Sequence, residues 1–383
     1  MYIAYLNPKS SFLGESIHSD TLFGAICWGI ANVCGDNLIG EVLEYFKDGK
    51  PPFLISSAFP YVQLEQRIHL LPKPICKPIY KEARSREDFT KLKTIKEIVY
   101  VPEEIFQQII EGKLTDETLF DSLELAGFEY PRRGNKRRKY NLYSINENEY
   151  VQRGNLIIKN TYQKTEKETR EEEEIEKTDF GKILTGAFGG IDIQRNVIER
   201  LSGTTTEGGL FYTHEMFFRE NAGLYFLVKI LKNEIKGNKI EGILNPALRF
   251  IQDRGVGGDV SVGKGHFEVE FLSGFDRIEE PTDPNAFTTL SLYYPAGELS
   301  SLSISSNRER MWYKSVKRKG KMEASFAAVK NVWKESLMMF SEGSTFPLLN
   351  KEIYGRNHLS KKEEHEIQHY GFAFPVKMRV GEE

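Results

Sequence analysis

The densest concentration of residues able to do chemistry lies between positions 254 and 265. Gly255, Gly257, Gly258, Gly263 and Gly265 fall within eleven positions, with Arg254, Asp259, Ser261 and Lys264 among them. Glycine lets a backbone amide come within hydrogen-bonding reach of a phosphate, where a Cβ would stand in the way, and the two cations add charge. The spacing is not that of a triphosphate loop, because Lys264 is followed by Gly265 rather than by Ser or Thr. Nor is it a dinucleotide fingerprint: the loop follows a helical pattern and precedes a strand pattern, the reverse of that motif. The chemistry that fits is a grip on a phosphate backbone. The competing reading is a flexible helix-to-strand connection.

Other segments carry similar groups. The stretch RNVIERLSGTTTEGG (195–209) places Arg195, Asn196, Arg200, Thr204, Thr205 and Thr206 as donors suited to sugar and phosphate oxygens. Arg132, Arg133, Lys136, Arg137, Arg138 and Lys139 form a basic run that suits a nucleic-acid clamp and a solvated loop tip equally. Lys314, Lys317, Arg318, Lys319 and Lys321 form a second basic cluster, read as a solvated hairpin tip. His18 and Ser19 stand at the start of an apolar helix. A lone histidine there suits a helix start or an RNA contact, or alternatively a general acid or base in metal-independent RNA cleavage. His365 and His369 have zinc-like i, i+4 spacing, but Glu363, Glu364 and Glu366 suggest a solvated helix face and no third ligand is signalled. No metal and no cofactor is expected, and no nucleophile-elbow, kinase or HExxH motif occurs.

The elements that must position these groups read as follows. Tyr2–Leu6 is a strand pattern. Ser19 or Asp20 reads as an N-cap for TLFGAICWGIANV, apolar nearly all round and stopped by Gly35, so this helix is expected to be buried. PPFLISSAFPYV (51–62) is strand-like. Residues 65–180 are polar and irregular and read as one large insertion; seven glutamates fall between Glu166 and Glu176. The segment from 186 is loop-like, and 208–220 with 222–230 reads as a hairpin across an Asn-Ala-Gly turn. Ile240, Ile243, Leu244, Ala247, Leu248 and Ile251 fall at helical spacing, with the helix either starting at Asn245-Pro246 or kinked there. Phe267, Val269 and Phe271 alternate with Glu268 and Glu270 as a strand. The order is βαββαβ with an inflated middle, an α+β fold of ferredoxin-like (RRM-like) type. FTTLSLYYP, RMWYKSV, ESLMMF and YGFAFPVKM suggest a second, degenerate domain of the same kind over 276–383, after a first domain of 1–275.

Composition narrows the class. A net charge of −3 excludes a uniformly basic surface but not a local basic patch. Three cysteines, Cys27, Cys34 and Cys76, make no CxxC pair, and the N-terminus lacks the features of a signal peptide. The longest apolar run, Leu22 to Ala31, is too short for a membrane span. A cytoplasmic protein without membrane contact is expected.

Three segments then coincide in order: IHSDTLFGAICWGI, RNVIERLSGTTTEGGLFY and GVGGDVSVGKGHFEV. Together they resemble the RAMP superfamily of CRISPR-associated proteins, and within it the fourth-Csm-subunit family of type III-A effector complexes, in the Cas-five group. The resemblance implies two ferredoxin-like domains and no catalysis. It implies a subunit that holds the 5′ repeat-derived tag of the crRNA. The large polymerase-like Csm subunit and a neighbouring backbone RAMP subunit are the implied protein partners. It assigns RNA contact to Gly255, Gly257, Gly258, Ser261, Gly263, Lys264 and Gly265, to Arg254, to Arg195–Thr206 and to His18 and Ser19. It also implies a thumb-like protrusion, for which 65–180 is the expected place. The alternative within the superfamily is a guide-processing endoribonuclease using His18.

Overall fold

In the computed structural model the described residues are 1–64, 66–79, 85–125, 128–130, 138–140, 143–145, 150–153, 156–159, 187–298, 310–322, 332–349, 351–362 and 365–381. The chain begins with β1 (Tyr2–Pro8), β2 (Phe12–Leu13), α1 (Ser19–Cys34), α2 (Asp36–Lys47), β3 (Phe53–Ile55), β4 (Phe59–Gln63) and β5 (Arg67–Pro72). It continues through α3 (Arg86–Glu97), β6 (Tyr100–Pro102), α4 (Glu103–Ile110) and α5 (Asp116–Ser122). Short strands follow: β7 (Glu124–Leu125), β8 (Phe128–Tyr130), β9 (Arg138–Tyr140), β10 (Tyr143–Ile145), β11 (Tyr150–Arg153) and β12 (Leu156–Lys159). Then come β13 (Phe188–Ile198), β14 (Thr205–Phe218), β15 (Ala222–Ile230), β16 (Glu234–Ile235), β17 (Asn238–Lys239), α6 (Ile240–Arg254) and β18 (Phe267–Ser273).

One mixed sheet organises the molecule, in the order β18-β1-β15-β4-β5-β6-β12-β11-β10-β7, with β3 also paired to β15. β1 lies antiparallel between β15 and β18. β15 is central because its run AGLYFLV is apolar at every position and needs cover on both faces. The expected hairpin of 208–220 with 222–230 does not form. β14 pairs instead with β13 and β2 in a separate three-stranded sheet, so part of the segment read as a loop is a strand.

Two helices pack on each other beside this sheet. α1 buries Leu22, Phe23, Ile26, Gly29 and Ile30. α6 buries the six apolar residues whose spacing announced it, and it runs unbroken from Ile240 with Pro246 inside. Gly29 marks the crossing, since a Cβ there would stand 2.6 Å from the Ala247 carbonyl oxygen. The N-cap of α1 is the extended backbone of His18, not a side chain of Ser19 or Asp20.

The insertion shares the main core. Ile95, Val101, Ile105, Phe106, Ile109, Ile110, Leu119 and Ile157 belong to the same buried cluster as Leu6 and Ile26. This corrects the expectation of an irregular excursion. The cluster also crosses residue 275, taking in Ala286, Leu290, Tyr370, Phe372 and Phe374. The last third adds β19 (Ala286–Thr289), β20 (Ser315–Arg318), β21 (Leu337–Phe340), β22 (Thr345–Pro347), β23 (His358–Lys362), β24 (His365–His369) and β25 (Pro375–Met378). His365 and His369 therefore lie on a strand of a hairpin, not on a helix, and His369 is buried.

Candidate nucleic-acid interface

The glycine loop joins α6 to β18 and is fastened at both ends. The Val256 amide donates to the Gly265 carbonyl at 2.8 Å, and the Gly265 amide donates to the Ser11 carbonyl at 2.8 Å. Gly265 has φ of +67°, and a Cβ there would be driven into the Val256 carbonyl, so only glycine closes this neck. The His266 amide donates to Ser10 Oγ at 3.0 Å, tying the base of the loop to the β1–β2 connection.

Residues 257–263 form the crest. Gly257, Ser261, Val262 and Gly263 are exposed. The amides of Gly257, Gly258, Asp259, Val260 and Ser261 have no protein acceptor among the described residues. Consecutive free amides of this kind suit anionic oxygens.

Below the crest lies a carboxylate that was not singled out from sequence. Glu215, on β14, is fully buried. It accepts hydrogen bonds from Lys264 Nζ at 2.5 Å, Arg195 Nη2 at 2.7 Å and Ser11 Oγ at 2.8 Å. Arg195 Nη1 donates to Asp259 Oδ2 at 3.0 Å, and Lys264 Nζ also donates to Ser11 Oγ at 2.9 Å. Burial alone would push the Glu215 carboxyl up, but the hydrogen bonds from Lys264, Arg195 and Ser11 hold it down to about 2. Arg195 and Lys264 thus lock the hairpin root to the loop, and their side chains keep 27% and 23% exposure for other work. The signal available in sequence was a single acid set directly before three apolar residues, EMFF.

The structure brings Arg195 to the glycine loop but not its sequence neighbours. Asn196, Arg200, Thr204, Thr205 and Thr206 are exposed along the outer end of the β13–β14 hairpin. That end also presents apolar side chains, with Leu201 98% exposed. Arg254 places its guanidinium 5.3 Å from the Trp28 ring centroid. His18 points elsewhere: its Nε2 meets Ser16 Oγ at 2.9 Å and its Nδ1 meets Glu342 Oε1 at 2.7 Å. Glu342 also accepts from the Ser57 hydroxyl. With both ring nitrogens engaged, His18 has none to spare for a ribose hydroxyl. Ser19 is buried, and its Oγ accepts from the Leu292 amide at 3.1 Å, so it offers RNA no surface. Arg132, Arg133, Lys136 and Arg137 lie outside the described residues, as do the side chains of Arg138 and Lys139 on β9 and the glutamate run of 166–176. Among the described residues no three metal-capable side chains gather, and burial drops the His369 ring to about 4.

A family model of the RAMP superfamily matches residues 9–268. The chain belongs to the RAMP superfamily. The RAMP match runs from the end of β1 to the start of β18 and so contains the whole Ser11–Arg195–Glu215–Lys264 junction. Over its full length the chain is similar to the CRISPR system Cms protein Csm4 of Thermococcus onnurineus (strain NA1). The two are 24% identical over 382 residues, spanning 98% of this chain and 96% of that one. The fold is shared with a chain of the Csm3-Csm4 subcomplex in the type III-A CRISPR-Cas interference complex. There the identity is 17% and the TM-score 0.59, over 99% of this chain and 100% of that chain. It is also shared with a chain of the Csm1-Csm4 cassette in complex with pppApA, at 19% identity and TM-score 0.54, over 100% and 99% of the two chains. Among the described residues of this RAMP protein, no helix is long and apolar enough to cross a membrane.

Proposed function

We propose that this RAMP chain is a non-catalytic RNA-binding subunit of a type III-A CRISPR effector complex. It holds the 5′ repeat-derived tag of the crRNA, docks the large polymerase-like subunit, and contacts a backbone RAMP subunit. The similarity to Csm4 along the whole chain supports this reading, as do the partners named for the Csm1-Csm4 and Csm3-Csm4 structures. The strand order β18-β1-β15-β4, with α1 packed on α6, supports a ferredoxin-like unit over 1–275, elaborated by the insertion of 65–180. Residues 276–383 are its degenerate partner domain. The exposed β13–β14 hairpin, rather than a part of 65–180, takes the role of the thumb.

The observation that carries the proposal is the crest of free amides held over the Arg195–Glu215–Lys264 junction. The amides take phosphate oxygens, and Arg195 and Lys264 set the hairpin and the loop at one angle to the strand of RNA. Ser261→Glu with Val262→Glu adds two charges on exposed side chains without touching the core. Guide retained by the assembled complex through a salt wash falls at least about tenfold, the effect of losing one charged contact of ~1.4 kcal/mol or more. Unchanged retention would remove the loop from the grip. Repeat RNA incubated with the purified chain in EDTA stays intact; cleavage abolished by His18→Ala would overturn the non-catalytic reading.

A further inference from the structure

Two neighbouring glycines on β13 answer different demands. Gly190 seats the ring of His214, which crosses the ribbon from β14 to reach Asp192; a Cβ at Gly190 would be driven into that ring. Gly189 seats nothing. It lies inside the strand without a left-handed φ, and a Cβ built on it meets no atom within 4 Å. A β-branched residue would fit there and would suit a strand better. A glycine that its own chain does not need, placed inside a strand, leaves room for a group that comes from outside it.

That room has an aromatic wall. Across the ladder Gly189 is paired with Phe217, and paired side chains of an antiparallel ribbon share one face. The Phe217 ring is 37% exposed. Glu215 lies two residues earlier on β14, hence on the same face and about 7 Å away, where Lys264 and Arg195 anchor the glycine loop. Leu13 brings the crest to this root: it is paired with Glu215, and a Cβ on Gly258 would stand 2.8 Å from its Cδ2. The Lys264 ammonium stands 6.0 Å from the Phe217 ring centroid, yet no atom of Lys264 comes within 4 Å of the Cβ position at Gly189. The cation therefore borders the room without filling it.

A ring beside an open floor, a cation at its edge and free amides on the adjoining crest are together the parts of a nucleotide site, with the ring for a base and the amides for phosphate. An apolar side chain of a partner protein would match the ring and the floor but would leave the crest amides unanswered. We infer that the room over Gly189 receives one base of the bound strand, stacked on Phe217, while the backbone of that strand passes over the crest. This rests on the proposed tag grip and adds a base subsite to it.

The test uses the assembled complex, with guides made abasic at one tag position at a time, and reads the guide retained through a salt wash. One abasic position lowers retention by the parent about tenfold, the effect of one lost stack. Phe217→Ala lowers retention of the unmodified guide by a similar factor, and in that variant the same abasic position costs nothing further. Phe217→Trp retains the guide as the parent does. Gly189→Val fills the room without touching the core, so urea unfolding shows parent stability or better while retention falls as in Phe217→Ala. Parent-like retention in both Phe217→Ala and Gly189→Val would overturn the inference, as would abasic losses that add in full to that of Phe217→Ala. Loss of a protein subunit from the Phe217→Ala complex assembled without guide would assign the ring to a protein contact and overturn it too. The crest is read apart by Ser261→Glu with Val262→Glu. Loss there with parent-like Phe217 and Gly189 variants removes the base subsite alone, whereas full retention there removes the phosphate grip.

Discussion

Replacing Glu215 by Gln tests the central junction directly. The substitution keeps size and removes one charge where four segments meet, through Ser11, Arg195, Glu215 itself and the loop residues Asp259 and Lys264. Burial works against the charged carboxylate, yet its three donors hold it at about 2 against an ordinary value of 4.5. A gap of about 2.5 pH units at ~1.4 kcal/mol each corresponds to about 3 kcal/mol of folding stability. Breaking a buried ion pair by removing one partner costs about 3–5 kcal/mol by mutational experience, which agrees. The folded value lies below the unfolded one, so the folded chain holds this proton less tightly. The stabilisation is therefore complete above pH 4.5 and fades as the pH falls toward 2.

Urea unfolding of parent and Glu215→Gln at several pH values reads this out. The variant unfolds with about 3 kcal/mol less stability at pH 7 and at pH 5.5, and the two curves converge between pH 4.5 and 2. A loss below about 1 kcal/mol at pH 7 would mean that the cations do not depend on this carboxylate. A full-sized loss that stays constant down to the lower pH would make it a packing effect and would equally refute the electrostatic account.

Two further substitutions probe the frame around the junction. Gly29→Ala forces a methyl group against the Ala247 carbonyl and costs about 1–3 kcal/mol by chemical denaturation, whereas Gly24→Ala, on an exposed turn of α1 with open space around it, stabilises by up to about 1 kcal/mol. Phe106→Ala, in the insertion but wholly buried, lowers stability by about 3–5 kcal/mol and shifts the melting of the whole chain; an independent melting of 65–180 would contradict the shared core.

What could be read in the residues follows from burial. α6 was legible because six apolar positions match one helical face, and the structure buries those six. α1 and β18 were legible for similar reasons, a wholly apolar run and a clean alternation. β13 was not, because Phe188–Ile198 has solvent on both faces for most of its length, so no apolar face imposes a period. The insertion was recognised but its regular elements were not, because its strands are two to six residues long and some pair across the sequence, as β12 does with β6. Even so, EEIFQQII carried a helical signal in Ile105, Phe106, Ile109 and Ile110. The same holds for Ile39, Val42 and Phe46 in α2. The His365–His369 spacing misled for a geometric reason: four residues return to one face of a strand as well as of a helix.

The charges of the site were visible in sequence, but their destination was not. Arg195 and Lys264 are each the kind of residue that meets a phosphate, and nothing in their own surroundings in the chain says otherwise. The deciding partner is Glu215, 20 positions beyond one and 49 before the other, and it becomes decisive only once β14 buries it. A buried carboxylate demands compensation from whatever cations can reach it, and it takes both. That moves the source of attraction at the crest from full charges to backbone dipoles, which act over short range and only in the right direction. A grip built in this way rewards a phosphate for its position rather than for its charge alone. Such a grip suits the fixed end of a guide strand better than a surface that merely collects RNA.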